Sequence, residues 1–259
     1  RAFHESLVAM GYRARIVVHD DAQGKRWFRI RIGRYNSLAE AQAFRRGAVV
    51  AHCSGALASD VLDPARERRG CSIGSLHPLQ TFPSVEAAVA RLPGAWCFVE
   101  GDAAAVLLLE RLGAALGARV ARIEAAAKPL YHAAAAMACN HLTALMDAAL
   151  ALAEAAGLAR DVAWQALSPL VRATLDNVET SGTGKALTGP IARGDLETVR
   201  RHLEALAAAP AELRDFYRAA SVWALDLAAR EGRLDADRIR LLREVLDRSS
   251  KESAGPADR

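Results

Sequence analysis

The spacing of apolar residues divides the chain into three stretches with different periods. Up to about residue 46, residues 15–19 and 27–32 alternate apolar and polar side chains, the period of two that half-buried strands show, around a turn at 21–24. Within the second run Trp27, Arg29 and Arg31 fall on one face, and Phe28, Ile30 and Ile32 on the other. Residues 3–10 read as a short amphipathic turn. Asn36 or Ser37 caps a helix running to Phe44, with Glu40 near its positive end. From about 48 to 124 the pattern changes to brief, continuous apolar runs at 48–53, 72–77 and 95–100, which suit strands buried on both faces. Helix-compatible stretches at 58–68 and 84–92 lie between them, a clearer helix covers 103–116, and a strand at 119–123 follows. This order predicts part of an open, parallel α/β sheet.

Beyond residue 125 no strand pattern survives. One helix is expected over about 126–156, ending at Gly157, and another from Arg160 to about Val178, kinked or divided at Pro169. A Gly-rich loop at 181–190 leads to a helix capped by Asp195; further helices cover about 210–230 and 235–248, and a polar tail closes the chain. Residues 129–146 carry no formal charge, close to the length of a membrane-spanning helix. They include His132, Asn140, His141 and Thr143 and owe their apolarity mostly to alanine, so they read as a helix buried in a soluble, dimeric core, not as a span.

Composition narrows the class. The 259 residues are 52% hydrophobic and 25% charged, with 18 Gly and 9 Pro, which excludes a disordered, collagen-like or coiled-coil chain. Alanine fills about a fifth of the positions and aromatics only 5%, favouring closely packed helices. The net charge of +4 is spread along the chain, favours anionic partners weakly, and gives no ground for nucleic acid. Cys53, Cys71, Cys97 and Cys139 form no CxxC pair and sit among apolar neighbours, as free cysteines packing like small hydrophobes do. His52, Cys53, Cys71 and His77 match no zinc spacing, so no metal is expected. The visible amino end shows no signal-peptide pattern, which points to the cytoplasm.

Four short motifs carry candidate chemistry. His52-Cys53-Ser54-Gly55-Ala56 leaves a buried strand; Ser54 and the Gly55 amide either meet a ligand at the carboxyl end of the sheet or simply make a tight turn. His77 ends the next strand, with Gln80 and Thr81 in the loop that follows, and His77 is either a general acid/base or a structural histidine. Lys128 and His132 are four apart and share a face at the start of the long helix; an ammonium there is electrostatically unfavourable, which suits a proton donor, although a solvated Lys beside a buried His fits the same spacing. Cys139 continues that face and Asn140 lies near it. In the fourth motif, residues 188–195, either Arg193 or Thr188 touches an anionic ligand, or the stretch is simply a loop ahead of the Asp195 cap. Gly184-Lys185 mimics a phosphate loop, but Ala186 stands where Ser or Thr should be, Glu179 replaces the first glycine, and a helix precedes it.

Taken in order, HCSGA, SLHPLQTF, KPLYHAAAAMACN and ALTGPIARGD resemble a bacterial family of Rossmann-like proteins with an uncharacterised helical C-terminal domain, over about residues 48–250. That family is similar to the pyrroline-5-carboxylate reductase and 6-phosphogluconate dehydrogenase superfamily. The resemblance implies an NAD(P)-dependent oxidoreductase of unknown small-molecule substrate, using NADP or NAD, with a helical 6-phosphogluconate dehydrogenase-like domain that forms a homodimer. It also implies Lys128 as proton donor with His132 where relatives carry Asn, a substrate side lined by Ser54, His77, Gln80, Thr81, Asn140 and Arg193, and cofactor contacts from His52, Ser54 and Gly55. The G-x-G-x-x-G turn of such folds does not occur in this sequence. In its place residues 11–18, 26–35 and 37–41 resemble part of a sporulation-related repeat (SPOR) domain, a kind that binds peptidoglycan glycan strands and works in the periplasm; Trp27, Arg29, Arg31 and Tyr35 would then face the glycan. The alternative to an oxidoreductase is thus a non-catalytic peptidoglycan-binding or scaffold protein. The expected organisation is a SPOR-like α+β piece at 1–47, a truncated Rossmann-like α/β segment at 48–124, an all-α dimerisation domain at 125–250 and a disordered tail at 251–259.

Overall fold

Alternating apolar runs become paired strands in the computed structural model, which describes residues 14–20, 26–32 and 46–251, the first two segments as backbone only. Strands β1 (Ala14–Asp20) and β2 (Arg26–Ile32) pair antiparallel, with Val17 opposite Arg29, as the alternation at 15–19 and 27–32 predicted. The turn at 21–24, the elements expected at 3–10 and 37–44, and the tail beyond 251 lie outside the described residues.

A second sheet has the order β3 (Val49–His52), β4 (Ser72–Leu79), β5 (Trp96–Gly101) and β6 (Arg119–Arg122). The outer pairs are parallel, but β4 and β5 run antiparallel. The sheet is therefore mixed, where a wholly parallel one was expected. Continuous apolar runs report burial on both faces, and burial does not encode direction.

Register then sorts the side chains. Leu76, Cys97 and Val99 face one side and pack with Val106 and Leu109 of α3 (Ala103–Ala115), forming the core of this half. The opposite face carries Ser75 beside Glu100, His77 beside Phe98 and Leu79 beside Trp96, because directly paired residues share a side. The β3–β4 connection contains a short 3-10 turn at Ser59–Leu62 and α1 (Asp63–Arg69), which ends on Gly70 in the left-handed conformation. Ser84 caps α2 (Val85–Arg91) by accepting from the Ala87 amide.

After β6, a 3-10 turn leads into α4 (Lys128–Ala136), a π-helical turn at Met137–His141 and α5 (Leu142–Ala155). The stretch Ala125–Ala155 is the single helix among the described residues long and apolar enough to cross a membrane, yet only 6% of its most apolar window is buried. The expected burial of 129–146 is thus not met within this chain; of α4, only Lys128 is buried. Cys53 and Cys139 are likewise exposed, whereas Cys71 and Cys97 pack in the interior as expected.

Two compact units divide at Leu142 and Thr143. The second is all helical. α6 (Arg160–Ala186) runs through Pro169 and through most of the stretch expected as a loop, broken where Gly182 leaves helical geometry. α7 (Gly189–Arg193) ends on Gly194, and Asp195 caps α8 (Leu196–Ala205) by accepting from the Thr198 amide at 3.1 Å, as its position before the helix predicted. With α9 (Ala211–Arg230) and α10 (Ala236–Lys251), these helices bury Ile191, Val199, Leu225, Leu242 and Leu246 in a core of their own.

Candidate functional site

Lys128 opens α4 directly above the polar face of the four-stranded sheet. Its side chain is 1% exposed, and Nζ donates to Ser75 Oγ at 2.5 Å and to Glu100 Oε1 at 3.2 Å. Ser59 Oγ donates to the second oxygen of Glu100 at 2.7 Å, and Ser75 Oγ donates onward to the Ser54 carbonyl at 3.4 Å. The result is a buried chain of polar groups from the 3-10 turn through the sheet to the loop after β3. A buried cation persists only beside an anion that is itself hydrogen-bonded, and Glu100 meets that condition.

One helical turn further on, Tyr131 and His132 reach the next row of the sheet. Tyr131 Oη lies 2.8 Å from His77 Nδ1, and the His77 and His132 rings meet edge-on with centroids 5.8 Å apart. Both imidazoles close over Gly55: a Cβ there would lie 2.5 Å from His132 Nδ1 and 2.7 Å from His77 Nε2. Glycine at 55 is therefore required by close approach.

Burial, then the charges of His132 and Lys128, lower the His77 pKa from 6.5 to about 4. Burial, then Cys97, raises Tyr131 to about 12. At neutral pH a phenol thus faces a neutral imidazole, so Tyr131 donates to Nδ1 and leaves the His77 proton on Nε2. The unfolded chain takes up a proton near pH 6.5 that folded His77 refuses until about pH 4. This contribution to stability is fully present above pH 6.5 and is lost as pH falls towards 4, an effect of about 1–2 kcal/mol for a half-buried ring. In urea unfolding at pH 7.5 and 4.5, wild type should lose that much more than His77→Gln; equal losses would show that another group titrates.

The loop after β3 is closed on itself. His52 Nδ1 accepts from the Ser54 amide at 3.1 Å, so its Nε2–H donates to the Ala58 carbonyl at 3.0 Å, and Ser54 Oγ accepts from the Leu57 amide at 3.1 Å. With those amides engaged and Gly55 covered by two rings, His52, Ser54 and Gly55 do not offer the open amide cradle that a dinucleotide diphosphate needs.

The remaining expected residues scatter. Gln80 and Thr81 lie past the end of β4, exposed; Gln80 Oε1 accepts from the Thr81 amide and the Thr81 carbonyl accepts from Arg91. Asn140 is exposed in the π-helical turn, roughly 18 Å along the helix from Lys128 at about 1.5 Å per residue. Arg193 is exposed at the end of α7, in the second unit. His77 lies in β4 as expected, although the strand runs two residues beyond it to Leu79, and burial reverses the expected contrast at the helix start: Lys128 is buried and His132 exposed. Glu100, Ser75, Ser59 and Tyr131 were not singled out from sequence. A carboxylate ending the apolar run Trp96-Cys97-Phe98-Val99-Glu100 was the available signal, because such a strand end demands a buried partner.

Residues 95–222 match the family described as Domain of unknown function (DUF2520), and residues 1–52 match the SPOR domain. No curated protein matches the chain. Among solved structures, protein TM1727 from Thermotoga maritima is 24% identical with a TM-score of 0.53, over 78% of this chain and 70% of that one. A putative NADP oxidoreductase, BF3122 from Bacteroides fragilis, is 25% identical with a TM-score of 0.56, over 69% of this chain and 65% of its own length. Residues 95–222 are therefore similar to DUF2520 proteins, the fold is Rossmann-like as in these solved structures, and the amino end carries a SPOR match.

Proposed function

We propose that this chain is the substrate-side part of an NADP-linked oxidoreductase-type protein acting on a small molecule. The observation that carries the reading is the convergence of His77, Tyr131 and His132 over Gly55, on the sheet face opposite the apolar core. Similarity to the Bacteroides protein supplies the class. In this reading exposed His132 exchanges the proton, the neutral His77 Nε2–H holds a substrate oxygen or nitrogen, and Lys128 positions Ser75 and the Ser54–Gly55 loop from behind. A second copy of the chain covers the exposed apolar stretch 125–155, giving the homodimer expected from sequence.

Because the β3 loop offers no diphosphate cradle, contacts to the nicotinamide end dominate any nucleotide binding. Titration followed by fluorescence should show NADPH and reduced nicotinamide mononucleotide saturating the protein with dissociation constants within about threefold of each other, a gap under about 1 kcal/mol. No saturation by either at about 5 mM would sink the oxidoreductase reading.

The SPOR match favours a second reading for the amino end, binding of peptidoglycan glycan strands in the periplasm. Co-sedimentation of the same full chain with denuded glycan strands tests it. Retention would place the chain at the cell wall, and loss to the supernatant would leave the cytoplasm.

A further inference from the structure

The polar sheet face does not end at His77. Tyr131 stands edge-on to the His77 ring at 5.5 Å, packs against Phe98 at 4.8 Å, and Phe98 lies 6.4 Å from Trp96 at only 30° between planes. The Arg119 guanidinium sits over the Trp96 ring at 5.9 Å. Register explains the ladder: Phe98 pairs with His77, and Trp96 pairs with Arg119 on the other side, so all project from one face. Trp96 is 46% exposed, although an indole is normally withdrawn from water. Among the described residues no carboxylate pairs with Arg119, unlike Arg122 at the far end of the same strand, which is held by Glu110. Stacking on the indole occupies the face of a guanidinium and leaves the N–H fork at its edge free for an anion.

We propose that this shelf is the substrate's resting place and that the substrate is a planar, conjugated carboxylate. Its ring system lies along Trp96 and Phe98 towards Tyr131, and its carboxylate meets Arg119. The inference rests on the substrate-side reading above and names the class of molecule that the His77 centre receives. Two independent features select it. Flat aromatic surface continuing along β5 from half-buried Phe98 to exposed Trp96 suits a flat ligand, because offset stacking needs no induced fit. An unpaired guanidinium at the outer end, with Lys128 already neutralised by Glu100, makes Arg119 the place where a negative charge is attracted.

The test uses 2-naphthoate, its uncharged counterpart 2-naphthalenemethanol, and cyclohexanecarboxylate, titrated by calorimetry into the full chain without nucleotide. 2-Naphthoate should bind more tightly than either other probe. Arg119→Gln should weaken 2-naphthoate by about three- to fivefold and leave 2-naphthalenemethanol unchanged, whereas Arg122→Gln should alter neither. Trp96→Ala should weaken both naphthalenes by about tenfold. All three substituted side chains are exposed, so folding should survive, and circular dichroism checks it. Equal binding of the three probes, or affinities indifferent to Arg119→Gln and Trp96→Ala, would overturn the proposal. So would self-association that Trp96→Ala abolishes, since a second copy would then own the shelf. Because no nucleotide is present, failure here is separable from failure of the nucleotide titration.

Discussion

Lys128→Met should lower the folding stability of this chain by about 3–5 kcal/mol, and Glu100→Gln by a similar amount, while the double variant should be more stable than Lys128→Met alone. Methionine keeps most of the stem that α4 lays against the sheet, so lost packing is a small part of the effect. The larger part is a carboxylate, 4% exposed, left without its cation and held, among the described residues, by Ser59 alone. Substituting both residues removes both charges, and a glutamine at 100 can still accept from Ser59. Urea unfolding at pH 7.5 reads the comparison. Losses that simply add in the double variant would mean that the two groups do not interact, and the buried pair would have to be abandoned.

The same variants separate a positioning role for Lys128 from a bystander's. The Lys128–Ser75–Ser54 relay fixes the loop whose Gly55 supports both imidazoles. The charge on Lys128 also helps to keep His77 neutral, behind burial and His132. In Lys128→Met the His77 pKa, followed by NMR of the ring protons, should rise from about 4 towards 6.5. A purely structural lysine would leave it where it is once the protein is folded.

Periodicity made most of the fold legible. Strand cores at 72–77 and 95–100, the helix at 103–116 and the Asp195 cap all stand where their patterns put them. Direction was not legible, because core-facing positions such as Cys97 and Val99 are equally apolar in parallel and antiparallel pairs. The helical continuation through 183–186 was hidden by Gly182, which breaks the helix, and by Gly184, whose low helix propensity is overridden locally: Gly184 is buried, and a Cβ there would strike the Glu231 carboxylate. For the site, helical spacing correctly joined Lys128 to His132 on one side of α4, but spacing carries no information on depth. Depth came from the strand opposite. Glu100 draws Lys128 down into the sheet, and the exposed turn beyond it is left to His132. Gln80, Thr81, Asn140 and Arg193 were chosen as polar residues near motif ends, and polarity alone does not bring side chains together.

Gly101→Ala should cost about 3 kcal/mol or more, against about 1 kcal/mol for Gly94→Ala, although both glycines have positive φ. At Gly94, φ is +81° and nothing lies within 4 Å of a new Cβ, so only the backbone preference is lost. At Gly101, φ is +132° and the Cβ would fall 2.3 Å from the Ile73 carbonyl oxygen and 2.6 Å from Gly74 Cα, both backbone atoms of the neighbouring strand. Relief requires β5 to part from β4 at the point where Asp102 accepts from the Ile73 amide at 2.9 Å and where Glu100 turns inward to Lys128. The substitution should therefore disturb the site as well as the fold. Urea unfolding gives the stability difference, and the His77 ring resonances show whether the relay above Gly55 has shifted. If Gly101→Ala were as mild as Gly94→Ala and left those resonances unmoved, the tight β4–β5 closure that sets Glu100 under Lys128 would be refuted.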